Sequence, residues 1–199
     1  MTSEPEARIR EAFERGDLRA AATRGLETYG PEVLSFLMAT TRDESVAGEV
    51  FSQASEDMWA GLAGFGWRSS FRSWFYAIAR HAASRHRRAP ANQSRRHAPL
   101  SEISEVAVRV RTETIPYLRT EVKDRFAQLR EALEPDDRAL LVLRVNQELS
   151  WKEIAVVLEA VDGLDEAALA RASARLRQRF QKVKQRIREL AVERGILEG

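Results

Sequence analysis

Residues 67–88 combine aromatic rings with positive charge and contain no acidic side chain. They include five aromatic residues and six arginines, although the whole chain nearly balances 32 basic residues against 30 acidic ones. Aromatic rings provide planes on which bases stack, and arginines beside them bind phosphate. This combination of residue types favours contact with nucleic acid.

Helical spacing divides this stretch into two faces. On a helix from Ser70, one face is apolar and is predicted to be core; it consists of Phe71, Trp74, Phe75, Ile78 and Ala82. Arg72, Tyr76 and Arg80 are spaced by four, so they are expected on the other side as an exposed tyrosine between two arginines. Trp67 lies in the loop before the helix and is the aromatic residue that packing explains least.

An acidic segment supplies a second candidate surface. Residues 43–57 contain five acidic side chains and no basic one. A helix is predicted over about residues 45–63, with an apolar inward side. Its outward side has three residues that point out together and two that flank them: Glu49, Gln53 and Glu56, with Ser52 and Trp59. Acidic side chains beside a bulky apolar residue predict a protein-docking surface.

Metal binding and catalysis are disfavoured. No histidine lies near the acidic segment, and His81, His86 and His97 lack the i, i+3 or i, i+4 spacing of helical metal ligands. The chain has no cysteine, which excludes disulfides and thiol chemistry. We therefore expect no metal, no cofactor and no enzymatic activity.

A third candidate surface is a basic helix near the end of the chain. Residues 171–188 contain eight basic side chains and no acidic one, and a face of one sign favours nucleic acid. The buried stripe is expected to be Leu176, Phe180, Val183, Ile187 and Leu190. The start of a reading helix points at base edges, while later turns pass the phosphate backbone. The predicted base contacts are Arg175, Arg177, Gln178 and Arg179, and the predicted phosphate contacts are Lys182, Lys184 and Arg186.

A helix-turn-helix pattern precedes this basic helix, in "EPDDRALLVLRVNQELSWKEIAVVLEAV". Pro135 suits a first helical position, and a capping box of Ser150 and Glu153 begins the second helix after a tight turn. The first helix is expected to bury Leu140, Leu141, Leu143 and Val145. The segment "EAVDGLDEAALARASA" then leaves two alternatives open. Either a short extra helix from about Glu166 precedes the basic helix, or the basic helix is extended by two turns.

Most periodic segments are helical, which predicts an all-α fold of two small helical domains joined by a flexible linker. The predicted division is a helical extension at 1–24, a first domain at 25–89, the linker at 90–119 and a second domain at 120–199. In the first domain, residues 17–40 are expected to form one or two helices, with Gly30 and Pro31 marking a break or a new first turn. Ser45 is the expected cap of the next helix, and Ser69 or Ser70 caps the one after it.

The linker is predicted from its composition. Its first part contains Pro90, Asn92 and Pro99 and little to bury. Farther on, "EVAVRVRTE" alternates its valines like a strand. A lone strand has no partner for its backbone hydrogen bonds, so this segment is expected to be extended linker.

The overall composition, with 44% hydrophobic and 31% charged residues, is typical of a globular, helix-forming chain. No apolar run approaches the roughly 20 residues that a membrane span needs. The charged start shows no signal peptide, and the lack of cysteine agrees with a reducing compartment. We therefore expect a cytoplasmic protein without a membrane partner.

These segments together resemble a bacterial RNA polymerase sigma factor of the extracytoplasmic-function group. "AGEVFSQASEDMWAGLAGF" is similar to that family's polymerase-binding helix, and "SSFRSWFYAIARHAASRHRR" to its promoter-melting and minus-ten-reading helix. "LEPDDRALLVLRVNQELSWKEIAVVL" resembles the helix-turn-helix of sigma region four. "RLRQRFQKVKQRIREL" stands where the minus-thirty-five recognition helix belongs. The two predicted domains then correspond to sigma regions two and four.

The sequence departs from the family pattern in two places. On the polymerase-facing turns the family has Asp, Gln and Glu or Asp, where this chain has Glu49, Ser52 and Gln53. The family's "GTVKSR" entry to the recognition helix is replaced by "ARLRQR" after an insertion. The minus-thirty-five sequence is therefore expected to differ from the common one.

The resemblance implies a transcription initiation factor whose partners are core RNA polymerase and promoter DNA, both as duplex and as melted single strand. An anti-sigma factor is a further partner common in the family. Extruding a base costs a few kcal/mol, and stacking it on an aromatic ring returns about 1–3 kcal/mol. The residues that the resemblance assigns to the minus-ten element are Trp67, Arg68, Arg72, Tyr76, Arg80, Arg87 and Arg88.

Two other classes of protein fit part of the sequence. A stand-alone helix-turn-helix transcriptional regulator needs no polymerase-binding surface, so the acidic face of residues 49–56 and the aromatic first domain count against it. A helical adaptor that binds only proteins leaves the unopposed positive charge of residues 171–188 unexplained.

Overall fold

The computed structural model describes residues 3–88, 102–121, 129, 132–161 and 163–195. The chain divides into a first unit, Met1–Pro116, and a second unit, Tyr117–Gly199. All regular elements within the described ranges are helices, which confirms the predicted all-α fold of two small helical domains. The proline-containing part of the predicted linker, residues 90–101, lies outside the described residues. None of the described helices is long and apolar enough to cross a membrane.

Four helices form the body of the first unit: α1 (Glu4–Glu14), α2 (Leu18–Thr41), α3 (Glu44–Leu62) and α4 (Phe71–Arg88). Aspartates cap two of them. Asp17 Oδ1 accepts from the Ala20 amide at 2.9 Å at the start of α2, and Asp43 Oδ1 accepts from the Val46 amide at 3.0 Å at the start of α3. The prediction that Ser45 caps α3 is wrong, because the Asp43 carboxylate already satisfies a first-turn amide.

α2 continues through Gly30 and Pro31, so the predicted break is wrong. Proline removes one backbone donor, and the packing of α2 against α1, α3 and α4 holds the helix together. A glycine is needed where α4 comes close. A Cβ added at Gly25 would overlap the ring of Phe71.

The core of the first unit is built from the apolar sides of these helices. Phe36 of α2, Phe51 of α3 and Phe75 of α4 are at most 1% exposed. The predicted inward side of α3 is confirmed by the burial of Val50, Phe51, Ala54, Met58 and Leu62. Burial of these large side chains removes apolar surface from water, which stabilises the unit.

The start of α4 is capped as predicted. Ser70 Oγ accepts a hydrogen bond from the Ser73 amide at 3.1 Å. Of the side chains predicted to face the core, Phe71, Phe75 and Ala82 are buried, whereas Trp74 and Ile78 are half-buried.

A fifth helix, α5 (Glu102–Glu121), stands where the sequence predicts an extended linker. That prediction is wrong because the alternating valines suggest a strand, whereas burial follows a helical spacing. The buried residues are Ile103, Ala107, Val110 and Thr114, while Val108 is 45% exposed. Two polar contacts join α5 to the other helices of the first unit. Ser104 Oγ donates to Glu56 of α3, and Arg109 pairs with Glu27 of α2.

The second unit contains α6 (Pro135–Leu141), α7 (Trp151–Glu159) and α8 (Glu166–Glu193). Pro135 lies in the first turn of α6, and Ser150 and Glu153 form the predicted capping box of α7. Leu140, Leu141 and Leu143 are buried as predicted. Val145 is 55% exposed and its predicted burial is wrong, because a π-helical turn, Val142–Asn146, changes the direction of the side chains there.

α8 runs without interruption from Glu166, so the described structure favours the extended basic helix over a separate short one. Asp165 caps it, with its Oδ1 accepting from the Ala168 amide at 2.8 Å. The buried side of α8 changes neighbours along its length. Val183 packs with Leu133 and Leu141, and Leu190 packs with Leu129.

A buried carboxylate ties α1 to α2 and α4. Glu6 is 6% exposed. Its Oε2 accepts from the Tyr29 hydroxyl at 2.8 Å, and its Oε1 accepts from the backbone amide of Phe71, the first residue of α4. Burial, the largest cause, raises the pKa of Tyr29 to about 12, so the phenol remains a donor at neutral pH. The helix dipole of α4 also favours a negative charge at this position.

Glu6→Gln is expected to lower the free energy of unfolding by about 1.5–3 kcal/mol, because buried donors lose a charged acceptor. Glu4→Gln is the matched control on an exposed position of the same helix, and we expect it to cost less than about 0.5 kcal/mol. Chemical denaturation of the two variants is the measurement. Equal stabilities would show that Glu6 does not hold the start of α4.

Candidate nucleic-acid interface and docking face

The loop at residues 64–70 joins α3 to α4 and is packed by aromatic rings. Phe65 stacks on Trp74, with ring centroids 4.4 Å apart and 19° between the planes. Phe65 also contacts Trp67 at a centroid distance of 4.9 Å. Phe65, just before the stretch that the sequence singles out, is therefore the centre of an aromatic cluster.

Trp67 has a strained backbone and is held in place by its neighbours. Its φ is +54°, a region that bulky side chains rarely adopt. Phe13 of α1 packs edge-on against its ring at 5.6 Å, and the Arg10 guanidinium lies 5.3 Å from the ring centroid. The indole Nε1 is buried and has no hydrogen-bond partner among the described residues. Packing by α1 therefore does account for Trp67, contrary to the sequence-based expectation.

Tyr76 lies in the core, so the predicted exposed stripe of Arg72, Tyr76 and Arg80 is wrong. Tyr76 is 0% exposed and meets the ring of Phe36 edge-on at 5.5 Å. Arg72 makes a bidentate ion pair with Glu32 of α2, at 2.6 and 2.8 Å. The physical reason is that α4 packs against both α2 and α3, which makes its buried arc wider than a single helical face.

An open cavity of about 410 Å³ lies beside the aromatic cluster. Phe65 and Trp74 provide apolar wall, and Asp57, Arg68 and Ser69 provide polar groups. Its volume falls in the range of about 300–1,000 Å³ that is common for ligand sites. Aromatic walls with a few polar groups suit a flat ring that has hydrogen-bonding edges.

Sequence reasoning named Arg68 at this site but missed Phe65 and Ser69. The signal that could have found them is the "GFGW" loop, where two glycines flank an aromatic residue. Gly64 and Gly66 line the cavity, and their lack of side chains leaves it open.

Positive charge lies near this cavity and along α4. Arg68, Arg87 and Arg88 are exposed, and Arg80 is half-buried. Partial burial, followed by the charges of neighbouring arginines, lowers the pKa of His81. Arginine therefore supplies the positive charge of this surface at neutral pH.

The predicted docking face lies on α3. Glu49 is exposed, and the other four predicted residues are half-buried: Ser52, Gln53, Glu56 and Trp59. Gln53 Nε2 donates to Asp57 Oδ1 at 2.9 Å, and Glu56 accepts from Ser104 of α5. Within the part of the chain that the structure describes, no group of three His, Asp or Glu side chains is placed to hold a metal ion.

Three of the predicted base contacts on α8 are engaged by neighbouring elements. Arg175 pairs with Glu159 at the end of α7. Arg179 pairs with Asp137 of α6 at 2.6 Å. Arg177 lies 5.9 Å from the ring centroid of Trp151, the first residue of α7. These arginines therefore flank the buried side of α8 and do not occupy the centre of its exposed side.

The centre of the exposed side is occupied by other residues. The first half of α8 buries Leu169, Ala172, Ser173 and Leu176. Directly opposite, at spacings of four and three, lie four exposed residues: Ala167, Arg171, Ala174 and Gln178. Gln178 is one of the predicted base contacts. Arg171 is not among them, because it belongs to the basic helix only if that helix is extended toward Glu166, as the structure has it.

Comparison with known proteins connects these surfaces to a family. Residues 26–93 match the family model for Sigma-70 region 2. The chain is also similar to the RNA polymerase sigma-H factor of Pseudomonas aeruginosa, with 27% identity over 178 residues. That alignment covers 86% of this chain and 92% of the Pseudomonas protein. The Sigma-70 region 2 match includes most of α2 and all of α3 and α4.

Proposed function

The chain belongs to the sigma-70-like sigma factors, which act in transcription initiation, and from that premise we propose a role for each of three surfaces. The α3 face binds core RNA polymerase. The cavity beside Phe65 and Trp74 holds a base of the melted minus-ten element, and α8 contacts the minus-thirty-five element. We assign the protein to the extracytoplasmic-function group and place its action in the cytoplasm, where its proposed partners lie.

The observation that carries this proposal is the position of the Sigma-70 region 2 match. Its residues include α3, with exposed Glu49 and the half-buried residues beside it, and α4, with the cavity at its start. A stand-alone DNA-binding regulator needs neither surface. Polymerase binding and strand capture therefore fit the first unit better than duplex binding alone.

The cavity offers what a base needs after it leaves the duplex. Unstacking costs a few kcal/mol, and an aromatic wall returns about 1–3 kcal/mol. Half-buried Trp74 supplies that wall, with Phe65 stacked behind it, and Ser69 can hydrogen-bond a base edge. Arg68 is exposed at the same site and suits the adjoining phosphate. Tyr76 has no part in this proposal, because it is buried in the core.

The α3 face has the composition of a docking surface. Glu49 is an exposed charge, and Trp59 is a half-buried aromatic residue on the same helix. Aromatic residues are enriched at protein interfaces, and charges at the rim steer association and determine register. A positively charged surface of core polymerase is the complementary partner.

Glu49→Lys is expected to weaken core polymerase binding about tenfold, which corresponds to about 1.4 kcal/mol, because a rim charge is reversed. The melting temperature should not change, since Glu49 is exposed. Titration of labelled protein with core polymerase is the measurement. Glu11→Lys, at an exposed position of α1, is the charge-matched control. Equal affinities for the two variants would reject the α3 face.

The exposed side of α8 has residue types suited to base contacts. Arginine pairs with guanine and glutamine with adenine through two hydrogen bonds, and alanine contacts the thymine methyl group. Arg171, Ala174 and Gln178 present these three chemistries along the first turns of α8. Lys182 and Lys184 lie farther along and suit phosphate contacts.

Arg171→Ala and Gln178→Ala are each expected to cost about 1–3 kcal/mol of promoter affinity and to relax specificity at one base position. Lys184→Ala should weaken binding to all promoter sequences alike. It should also reduce the slope of log affinity against log salt concentration by about one. The measurement is holoenzyme affinity for single-base promoter variants at several salt concentrations. Arg175→Ala is the control, because Arg175 pairs with Glu159. A specificity change confined to Arg175→Ala would place the base contacts elsewhere on α8.

A further inference from the structure

We propose that α5 is an autoinhibitory helix that covers part of the α3 face in the free protein and must leave it before core RNA polymerase binds. This inference rests on the proposed polymerase-binding role of α3. It concerns only the first unit, in which α5 begins.

Two contacts place α5 across the α3 face. Ser104 Oγ donates a hydrogen bond to the Glu56 carboxylate. The Arg111 side chain lies over Gly48, with its Cδ 3.2 Å from where a Cβ of that glycine would stand. Gly48, Ser52 and Glu56 are spaced by four along α3 and form one stripe. α5 therefore contacts both ends of a stripe whose middle residue, Ser52, belongs to the proposed polymerase site.

α5 is anchored on α2 as well as on α3. Val110 is 5% exposed, and its Cγ1 lies 2.9 Å from where a Cβ at Gly30 would stand. That close approach requires glycine on α2. Arg109 pairs with Glu27 one turn away from this contact. α5 thus presents an apolar stripe with polar flanks, which is the pattern of a helix that occupies a groove between two others.

The same atoms cannot be covered by α5 and by polymerase at once. A partner that packs on Ser52 and Glu56 would overlap Ser104 and Arg111, so the two associations exclude each other. The polar contacts of α5 are partly exposed, and such pairs contribute little stability. The buried side chains Ile103, Ala107 and Val110 supply most of the stability of the docked helix. Core polymerase must therefore gain more free energy on binding than α5 loses, and the observed affinity is reduced by the fraction of molecules in which the face is open.

A reversible disulfide tests this competition. The chain has no cysteine, so Gly30→Cys combined with Val110→Cys introduces one pair of thiols. Val110 Cγ1 stands where the sulfur of a cysteine at that position would lie, 2.9 Å from the added Cβ of residue 30. In a disulfide with its S–S bond of about 2.05 Å, the Cβ of one residue lies about 3 Å from the sulfur of the other, so the pair can be bridged. We expect the oxidised protein to bind core polymerase at least tenfold more weakly than the reduced protein. The two single-cysteine variants should be insensitive to oxidation.

Equal core affinity of the oxidised and reduced proteins would overturn the inhibitory role of α5 and leave the sigma-factor role intact. Absence of core binding by both the wild-type protein and Val110→Asp, in which α5 is displaced, would instead reject the proposed function, and the inference with it. The oxidised and reduced states share one sequence, so a general folding defect cannot produce the expected difference between them.

A second variant tests the opposite direction. Val110→Asp places a charge in the buried contact with Gly30 and is expected to open the face and raise core affinity severalfold. Val108→Asp, on the exposed side of the same helix, is the matched control and should leave core affinity unchanged. An unchanged or lower affinity of Val110→Asp relative to Val108→Asp would overturn the proposal.

Discussion

The first unit depends on one buried interaction, the hydrogen bond that the Phe71 backbone amide donates to the Glu6 carboxylate. A buried carboxylate is unfavourable unless donors surround it, and here Tyr29 and the first turn of α4 supply them. The interaction fixes where α4 begins relative to α1 and α2. Once this start is fixed, the direction of each later side chain of α4 follows from the helical repeat.

This constraint divides the aromatic residues of one short segment between two tasks. Phe71, Phe75 and Tyr76 enter the core, where they pack on α2 and α3. Trp74 remains half-buried at the cavity wall together with Phe65. Trp74, the ring proposed to hold DNA, thus lies on the same rigid helix start as the rings that stabilise the unit. A site built on a rigid element can hold a base without a large ordering cost.

The sequence predicts features that depend on local spacing and misses those that depend on packing. The capping box of α7 and the apolar side of α3 follow from spacing alone and are confirmed. The helical state of α5 does not, because alternating valines imitate a strand and only burial of Val110 against α2 and α3 decides between the two. The burial of Tyr76 depends on how many helices contact α4, which no single segment reveals.

The candidate site was predicted in its region and its chemistry, but not in its individual residues. Aromatic rings and arginines do meet near the start of α4, yet Phe65 and Ser69 belong to the loop and join them only through tertiary contacts. On α8, the first helical residue determines which side chains belong to the helix, and the buried residues then determine which of them face outward. Arg171 could therefore be assigned only after α8 was seen to begin at Glu166.

Entry of a promoter base into the cavity beside Trp74 is tested most directly by site-specific crosslinking. Because the chain has no cysteine, Ser69→Cys allows a single photoactivatable probe to be attached at the cavity wall. Thr28→Cys, at an exposed position of α2, is the control. In holoenzyme, we expect Ser69→Cys to crosslink one or two adjacent nucleotides of one minus-ten strand in open or pre-melted promoters, but not in closed duplex. Crosslinks of equal yield from Thr28→Cys, or from closed duplex, would contradict capture of a base by this cavity.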